Sequence, residues 1–462
     1  MNKLLSVLVA VILAPFVTVA QVQVPTLTGK MTLSISQGTM DCEFTLKDMP
    51  LIKNYLILIN TGMNIRSIRN AEGYSFSYRR VYADTIAYES FGYYIPDNTG
   101  KAKHIPKELQ FSYVGKFPVV ADTLNPMRVD WKGNIAFNGY SVRADGSQAK
   151  WYPVLYDVDK DIAYSDIKYD VTIQCQDCEA IYVNGSDPVI GQTAKLKTEV
   201  LTELMLYAGD YKVEYVDGTY FLNPDMDTTL MRAFGEMTKT YKQFYEKKLG
   251  IPYKQTITYI NSTPVSKKNA WMFVSYPSIV NVGWGEYGMR SLFDKRSAEM
   301  TKAFIAHELA HYYFGYHKSF NTGLGDACSE GFAEYMSLQI AQEFLQDSVY
   351  TKQMKSYAAQ LKDIELVPLG KITDISDYEN RQLYVYSYVP LILCAIQKEI
   401  GSKAMWLWLK TILNSQSEMT NYAFVRQTLQ AALKDDRKLQ QIEAKYFMSD
   451  VSAKNAITTL AL

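Results

Sequence analysis

From about Gln21 to Tyr215 apolar and polar residues alternate in short runs: Met31-Thr32-Leu33-Ser34-Ile35, Tyr169-Asp170-Val171-Thr172-Ile173 and Tyr211-Lys212-Val213-Glu214-Tyr215, with an unbroken Leu56-Ile57-Leu58-Ile59 among them. A period of two puts one face of an extended strand against a core, and turn residues such as Asn184-Gly185-Ser186 punctuate the runs. The stretch predicts an all-β domain of sandwich or saddle type. The period then lengthens. Leu230, Phe234, Met237, Tyr241 and Phe244 mark a helix over Thr228 to Leu249 that stops at Gly250, ahead of Pro252. Strands are expected at Gln255 to Ile260 and Ala270 to Tyr276, then a Gly-rich segment Val280 to Met289 and two helices. After Asp347 the pattern is helical, over Lys352 to Ile364, Val385 to Ile400, Ala404 to Leu413 and Tyr422 to Leu433, with Pro390 either tolerated or leaving a kink.

The first twenty residues have a different design. Lys3, the apolar run Leu4 to Val17 and the small residues Thr18-Val19-Ala20 have the layout of a secretory signal peptide. A retained anchor is the competing reading, although the run is short for a span. No later run reaches spanning length, so the mature chain is expected to be exported, periplasmic or extracellular, with no stable membrane span. Lys+Arg and Asp+Glu both number 48, without a charged block, which argues against nucleic acid and anionic membrane as partners. Five Cys define no disulfide framework; Cys175 and Cys178 form a lone C-x-x-C, read as a local disulfide or two free thiols.

The chemistry concentrates in one place. Only four His occur, and His307, His311 and His317 fall within eleven residues. His307-Glu308-Leu309-Ala310-His311 is H-E-x-x-H in a helical setting, so both imidazoles leave one face and grip one ion, here Zn2+ at one per chain. Glu308 lies round from them, within reach of a water on that ion. A bare H-E-x-x-H can also be a packed structural helix, but the clustering favours the metal. Glu330 or His317 can complete the set. His317 has metzincin spacing, yet the Gly that motif needs is Phe314, and Gly315 suits a helix stop instead. Glu330 has its own support, because Ser329 or Asp326 could cap a new helix carrying Glu330 and Glu334 on one face. Glu334 either accepts a ligand His ring N–H or is an exposed helix residue.

His307-Glu308-Leu309-Ala310-His311-Tyr312-Tyr313-Phe314-Gly315, followed by Ser329-Glu330-Gly331-Phe332-Ala333, resembles the aminopeptidase N-like gluzincin metallopeptidases, whose pattern is H-E-x-x-H-x-W-F-G and then N-E-G-F-A after eighteen residues. Residues 312 to 329 are eighteen. The resemblance implies His307, His311 and Glu330 as zinc ligands and Glu308 as general base. It extends more weakly through Trp151-Tyr152-Pro153 and Val183-Asn184-Gly185. It also implies a Tyr that stabilises the oxyanion, and counting back from Gly401 selects Tyr386, with Tyr384 and Tyr388 as rivals. The family's G-x-M-E-N motif, whose Glu holds the substrate's free amine, is not intact: Gly283 and Glu286 remain, while Gly285 and Tyr287 replace its Met and Asn.

The expected fold class is therefore α+β multidomain: a signal peptide over 1–20, an N-terminal β-sandwich or saddle domain over 21–215, a thermolysin-like zinc catalytic domain over 216–346 and a C-terminal helical domain over 347–462. The expected function is an exported zinc metallopeptidase acting on peptide or protein substrates. Exo- or endopeptidase specificity stays open, and a non-catalytic peptide-binding protein on the same fold is the competing class.

Overall fold

The computed structural model describes residues 24–82, 89–101, 104–120, 133–262, 271–282, 289–293 and 298–462. The expected signal segment Met1–Ala20, and Glu286 with its neighbours 283–288, lie outside the described residues.

The alternating runs fold into sheets. A six-stranded sheet runs in the order Thr193–Glu203, Asp166–Cys175, Thr26–Ser34, Thr39–Lys47, Glu108–Lys116, Met63–Arg69. In Glu108–Lys116 every second residue (Leu109, Phe111, Tyr113) is buried, as a half-covered strand requires. Two five-stranded sheets pack with it around one core. At its centre Trp151 is wholly buried and its indole N–H donates to the Leu204 carbonyl at 2.7 Å, so the largest apolar side chain carries no unmet polar atom. Cys175 and Cys178 are joined by a disulfide, while Cys42, Cys328 and Cys394 are buried thiols.

The last alternating run behaves differently from its pattern. Val213–Val216 joins none of these sheets; it pairs with Thr219–Leu222 and opens a separate five-stranded sheet, continued by Thr258–Ser262, Ser278–Val282 and, at the far edge, Trp271–Ser275. Alternation identifies a strand but not the sheet it enters. The helix Thr228–Leu249 begins where the Asp227 carboxylate accepts the Leu230 amide at 2.9 Å, and ends at Gly250, whose φ of 72° lies in the left-handed region.

Two helices, Ala298–Ala310 and Gly325–Phe344, then cross in the core beside the edge strand. The remaining chain is helical: Asp347–Leu361, Val389–Ile400, Ser402–Asn414 and Tyr422–Leu433 follow the expected pattern, and Ser452–Leu460 adds a helix that the periodicity does not indicate. The expected helix from Val385 is split. Pro390 has no N–H for the Tyr386 carbonyl, so Tyr384–Tyr388 forms a π turn in which the Val389 amide reaches back to Tyr384. Among the described residues no helix is long and apolar enough to cross a membrane.

The N-terminal sheets grip that separate sheet at the hairpin joining its edge strand Trp271–Ser275 to the neighbouring Ser278–Val282. The buried Asn184 side-chain amide donates to the carbonyls of Ser275 (2.9 Å) and Tyr276 (2.7 Å), and its oxygen accepts from Ser278 Oγ at 2.5 Å. Glu203 holds Ser275 Oγ at 2.6 Å. One residue earlier on that strand, Val274 reaches the site.

Candidate metal centre

His307 and His311 stand at the end of Ala298–Ala310, where the chain turns through Gly315 at φ 146° and the amides of Tyr316, His317 and Lys318 bond back to the carbonyls of His311, Tyr312 and Tyr313. Glu330 comes from the second turn of Gly325–Phe344. The two Nε2 atoms are 3.1 Å apart, and Glu330 Oε2 lies 3.3 Å from one and 3.4 Å from the other.

The outer ring nitrogens decide what this triangle is for. His307 Nδ1 faces Glu334 Oε2 at 2.8 Å, and His311 Nδ1 faces the Phe314 carbonyl at 3.2 Å. Those oxygens accept, so each neutral imidazole places its N–H there and turns a bare Nε2 lone pair inward. Three acceptors at near-equal separations repel unless a cation stands among them. Tetrahedral zinc with ligands at about 2.0–2.2 Å sets its ligand atoms about 3.3–3.6 Å apart, which these three positions approach closely. A proton is the rival cation. Burial would lower the His307 pKa, and hydrogen bonds to Glu330 and Glu334 outweigh it, lifting it to about 10. One directional proton serves one partner, however, whereas the triangle has a common centre. The donor set fits a metal ion, and these are the described residues whose atoms converge as one ligand group without a disulfide among them.

Around the triangle, Glu308 is buried and its Oε2 accepts the Val274 amide of the edge strand at 2.9 Å. Burial pushes its pKa up, against the pull of His307 and His311. Tyr386 is the tyrosine that meets the site: its ring centroid is 5.7 Å from that of His307, and burial and Glu330 raise its phenol pKa. The rivals are engaged elsewhere, Tyr384 with the Val367 carbonyl at 2.9 Å and Tyr388 with Ser452 Oγ at 2.7 Å.

Other expectations are redrawn. Neither Ser329 nor Asp326 caps the second helix, whose N-cap position is Leu324 without a side-chain bond. Ser329 Oγ instead donates to the Phe314 carbonyl at 3.0 Å, and Asp326 pairs with Arg381. His317 packs its ring near Tyr312, outside the triangle. Glu334 is the acceptor of the His307 ring and also takes a hydrogen bond from Tyr357. Sequence reasoning missed Arg381, whose Nη2 lies 2.6 Å from Asp326 Oδ1 and 3.4 Å from Glu330 Oε1.

The fold is that of the M1 zinc metallopeptidases. The chain is similar to the M1 zinc metallopeptidase from Deinococcus radiodurans, with a TM-score of 0.62, 14% identity and coverage of 93% of this chain and 94% of that one. A point mutant of the Deinococcus radiodurans enzyme bound to a Tyr-Ser-Ala substrate aligns with a TM-score of 0.59 at 15% identity, over 91% and 92% of the two chains. Yeast LTA4 hydrolase in complex with bestatin aligns with a TM-score of 0.62 at 12% identity; 90% of this chain is covered, and it spans 66% of the yeast protein. No family model matches the sequence, and no curated protein matches it.

Proposed function

We propose that the chain is a zinc-dependent metallopeptidase of the aminopeptidase N-like type, with His307, His311 and Glu330 as ligands, Glu308 as general base and Tyr386 as oxyanion donor. The observation that carries this reading is the triangle of two bare imidazole nitrogens and one carboxylate oxygen, with a second buried carboxylate beside it. Zinc, when bound, supplies Lewis acidity that lowers the pKa of a water and polarises a peptide carbonyl. Glu308 takes the proton of that water as its oxygen bonds to the carbonyl carbon, and returns it to the leaving nitrogen as the C–N bond breaks. The Tyr386 hydroxyl donates to the oxygen on which negative charge develops. The Val274 amide fixes one Glu308 oxygen, and the outer backbone edge of Trp271–Ser275 offers further amides and carbonyls to an extended peptide.

Export accompanies this reading: Met1–Ala20 has signal-peptide design, and the Cys175–Cys178 disulfide suits an oxidising compartment. The altered G-x-M-E-N segment leaves Glu286 as the candidate amine anchor, so amino-terminal trimming and internal cleavage are separated by experiment. The test is cleavage of one peptide set, N-terminally free and N-acetylated, by the zinc-loaded protein and its Glu308→Ala variant, read by mass spectrometry. Single-residue loss from free peptides alone supports an aminopeptidase, and internal cuts in both forms an endopeptidase. Stoichiometric zinc with neither form cut overturns the enzyme reading in favour of a binding protein.

A further inference from the structure

Arg381 is a second cation at the metal centre, and the reaction above does not use it. It heads the short helix Arg381–Leu383, placed by Asn380, whose side chain accepts the Leu383 amide at 3.1 Å. Its Nη2 alone makes both carboxylate contacts, to Asp326 Oδ1 at 2.6 Å and Glu330 Oε1 at 3.4 Å. Glu330 Oε2 is the atom that faces the two imidazoles, so the guanidinium sits one carboxylate's width from the metal position. Its carbon lies 5.9 Å from the centroid of the Tyr386 ring, which in turn neighbours His307.

The ion pair is lopsided. The Arg381 side chain is 41% exposed and that of Asp326 18%, so the acid is the inner member and the cation the outer one. Among the described residues no carboxylate or carbonyl takes a hydrogen bond from Nε or Nη1. Three of the five N–H donors of a guanidinium belong to those two nitrogens. The Tyr386 hydroxyl takes a further hydrogen bond from the guanidinium, which leaves a permanently charged group with donors to spare beside both a metal ligand and the proposed oxyanion donor, the chemistry of a carboxylate receptor.

We propose that Arg381 binds a carboxylate of the substrate close to the scissile bond, making the site selective for peptides that carry a negative charge there. This rests on the peptidase reading above. The carboxylate is either an acidic side chain flanking the cleaved bond or the C-terminus of a short peptide, and the two are chemically alike to Arg381.

Matched peptides separate the sources: one pair differs only by Glu against Gln at a position flanking the cleaved bond, another only by a free or amidated C-terminus. For the zinc-loaded wild type the expected result is a kcat/KM at least about tenfold higher for the charged member of one pair, the scale of one charge-assisted hydrogen bond. In Arg381→Gln that ratio falls towards one, whatever happens to the absolute rates, and Arg381→Lys keeps part of it. The pair that responds identifies the source. Equal rates for charged and neutral members in the wild type, or an unchanged ratio in Arg381→Gln, overturn the proposal. So does a loss in Arg381→Gln shared equally by all peptides with falling zinc content, which would make Arg381 only a clamp on Glu330. Affinities of the same peptides for zinc-loaded Glu308→Ala, by fluorescence anisotropy, give the ratio without turnover. A charge preference there, lost on adding Arg381→Gln, upholds the carboxylate site even if the wild type cuts nothing and the peptidase reading fails.

Discussion

Glu334 Oε2 lies 2.8 Å from Nδ1 of His307, and its other oxygen is held by the hydroxyl of Tyr357. The three residues come from three helices and form one line running inward to the metal position. A ligand imidazole whose outer N–H is held by a carboxylate is fixed in tautomer and orientation and is the more basic donor. Glu334→Ala is therefore expected to weaken zinc binding about 10–100-fold, measured by competition with a chromophoric chelator. Tyr357→Phe, which leaves the carboxylate in place, should cost less. Equal affinity in Glu334→Ala and wild type would remove Glu334 from the site.

The three tyrosines of one π turn give an internally controlled test of the oxyanion donor. Tyr386 faces His307, while the hydroxyls of Tyr384 and Tyr388 bond to Val367 and Ser452. Tyr386→Phe should lower kcat about 100–1,000-fold with zinc retained and KM little changed, the mark of a donor used in the transition state. Tyr384→Phe and Tyr388→Phe should instead cost about 1 kcal/mol of stability each, seen in denaturant midpoints, with kcat near the wild-type value. The same kcat loss in all three would assign the effect to the turn rather than to one hydroxyl.

The parts of this site that are legible in the sequence are those set by local spacing. His307 and His311 are one helical turn apart, and Glu330 and Glu334 likewise, so periodicity alone aligns each pair. Tyr386 rests on a register counted back from Gly401, because a Tyr among three has no local mark of its own; the π turn that separates their directions follows from Pro390, whose effect is foreseeable only as a kink. Arg381 with Asp326, and Asn184 with the Ser275 carbonyl, are pairs 55 and 91 residues apart. Such pairing depends on tertiary approach and leaves no trace in either local pattern. The run at Val213 shows the same limit, since its alternation marks a strand correctly and its sheet wrongly.

Acid should remove one identifiable contribution to stability. Glu399 is held by Lys438 at 2.8 Å and Lys445 at 2.7 Å, with Tyr446 at 3.2 Å, and the two lysines depress its pKa to about 2. A carboxylate with a depressed folded-state pKa stabilises the fold above its unfolded value, near 4.5, and the contribution disappears as pH falls towards 2. Allowing for solvent screening at a site one quarter exposed, it amounts to about 1–2 kcal/mol at pH 7. Glu399→Gln should thus be less stable than wild type at pH 7, with the gap narrowing steadily below about pH 4.5. Urea titrations on metal-free protein keep metal loss out of the comparison, and a gap independent of pH would show that the ion pairs contribute nothing.

Gly331 follows the proposed ligand Glu330 in the sequence, and the structure gives it a packing reason. A Cβ built there would lie 2.3 Å from Cγ1 and 2.7 Å from Cβ of Val389, which is itself buried. The ligand helix and the helix after the π turn touch at this point. Exchanging a helical Gly for Ala ordinarily stabilises by about 0.5–1 kcal/mol through backbone entropy. Here overpacking at far less than contact distance should win, costing about 1–3 kcal/mol and pushing Glu330 or Tyr386 off station. Gly331→Ala is expected to lower both the thermal midpoint and zinc affinity. Val389→Ala alone should destabilise by opening a cavity, yet it removes Cγ1, the nearer of the two atoms that the new methyl strikes, and leaves Cβ in place. The double variant should then be more stable than the sum of the two losses by about 1 kcal/mol, and it should recover part of the zinc affinity. Strict additivity would mean that the helices are not in contact here, and that Gly331 serves the backbone rather than the interface.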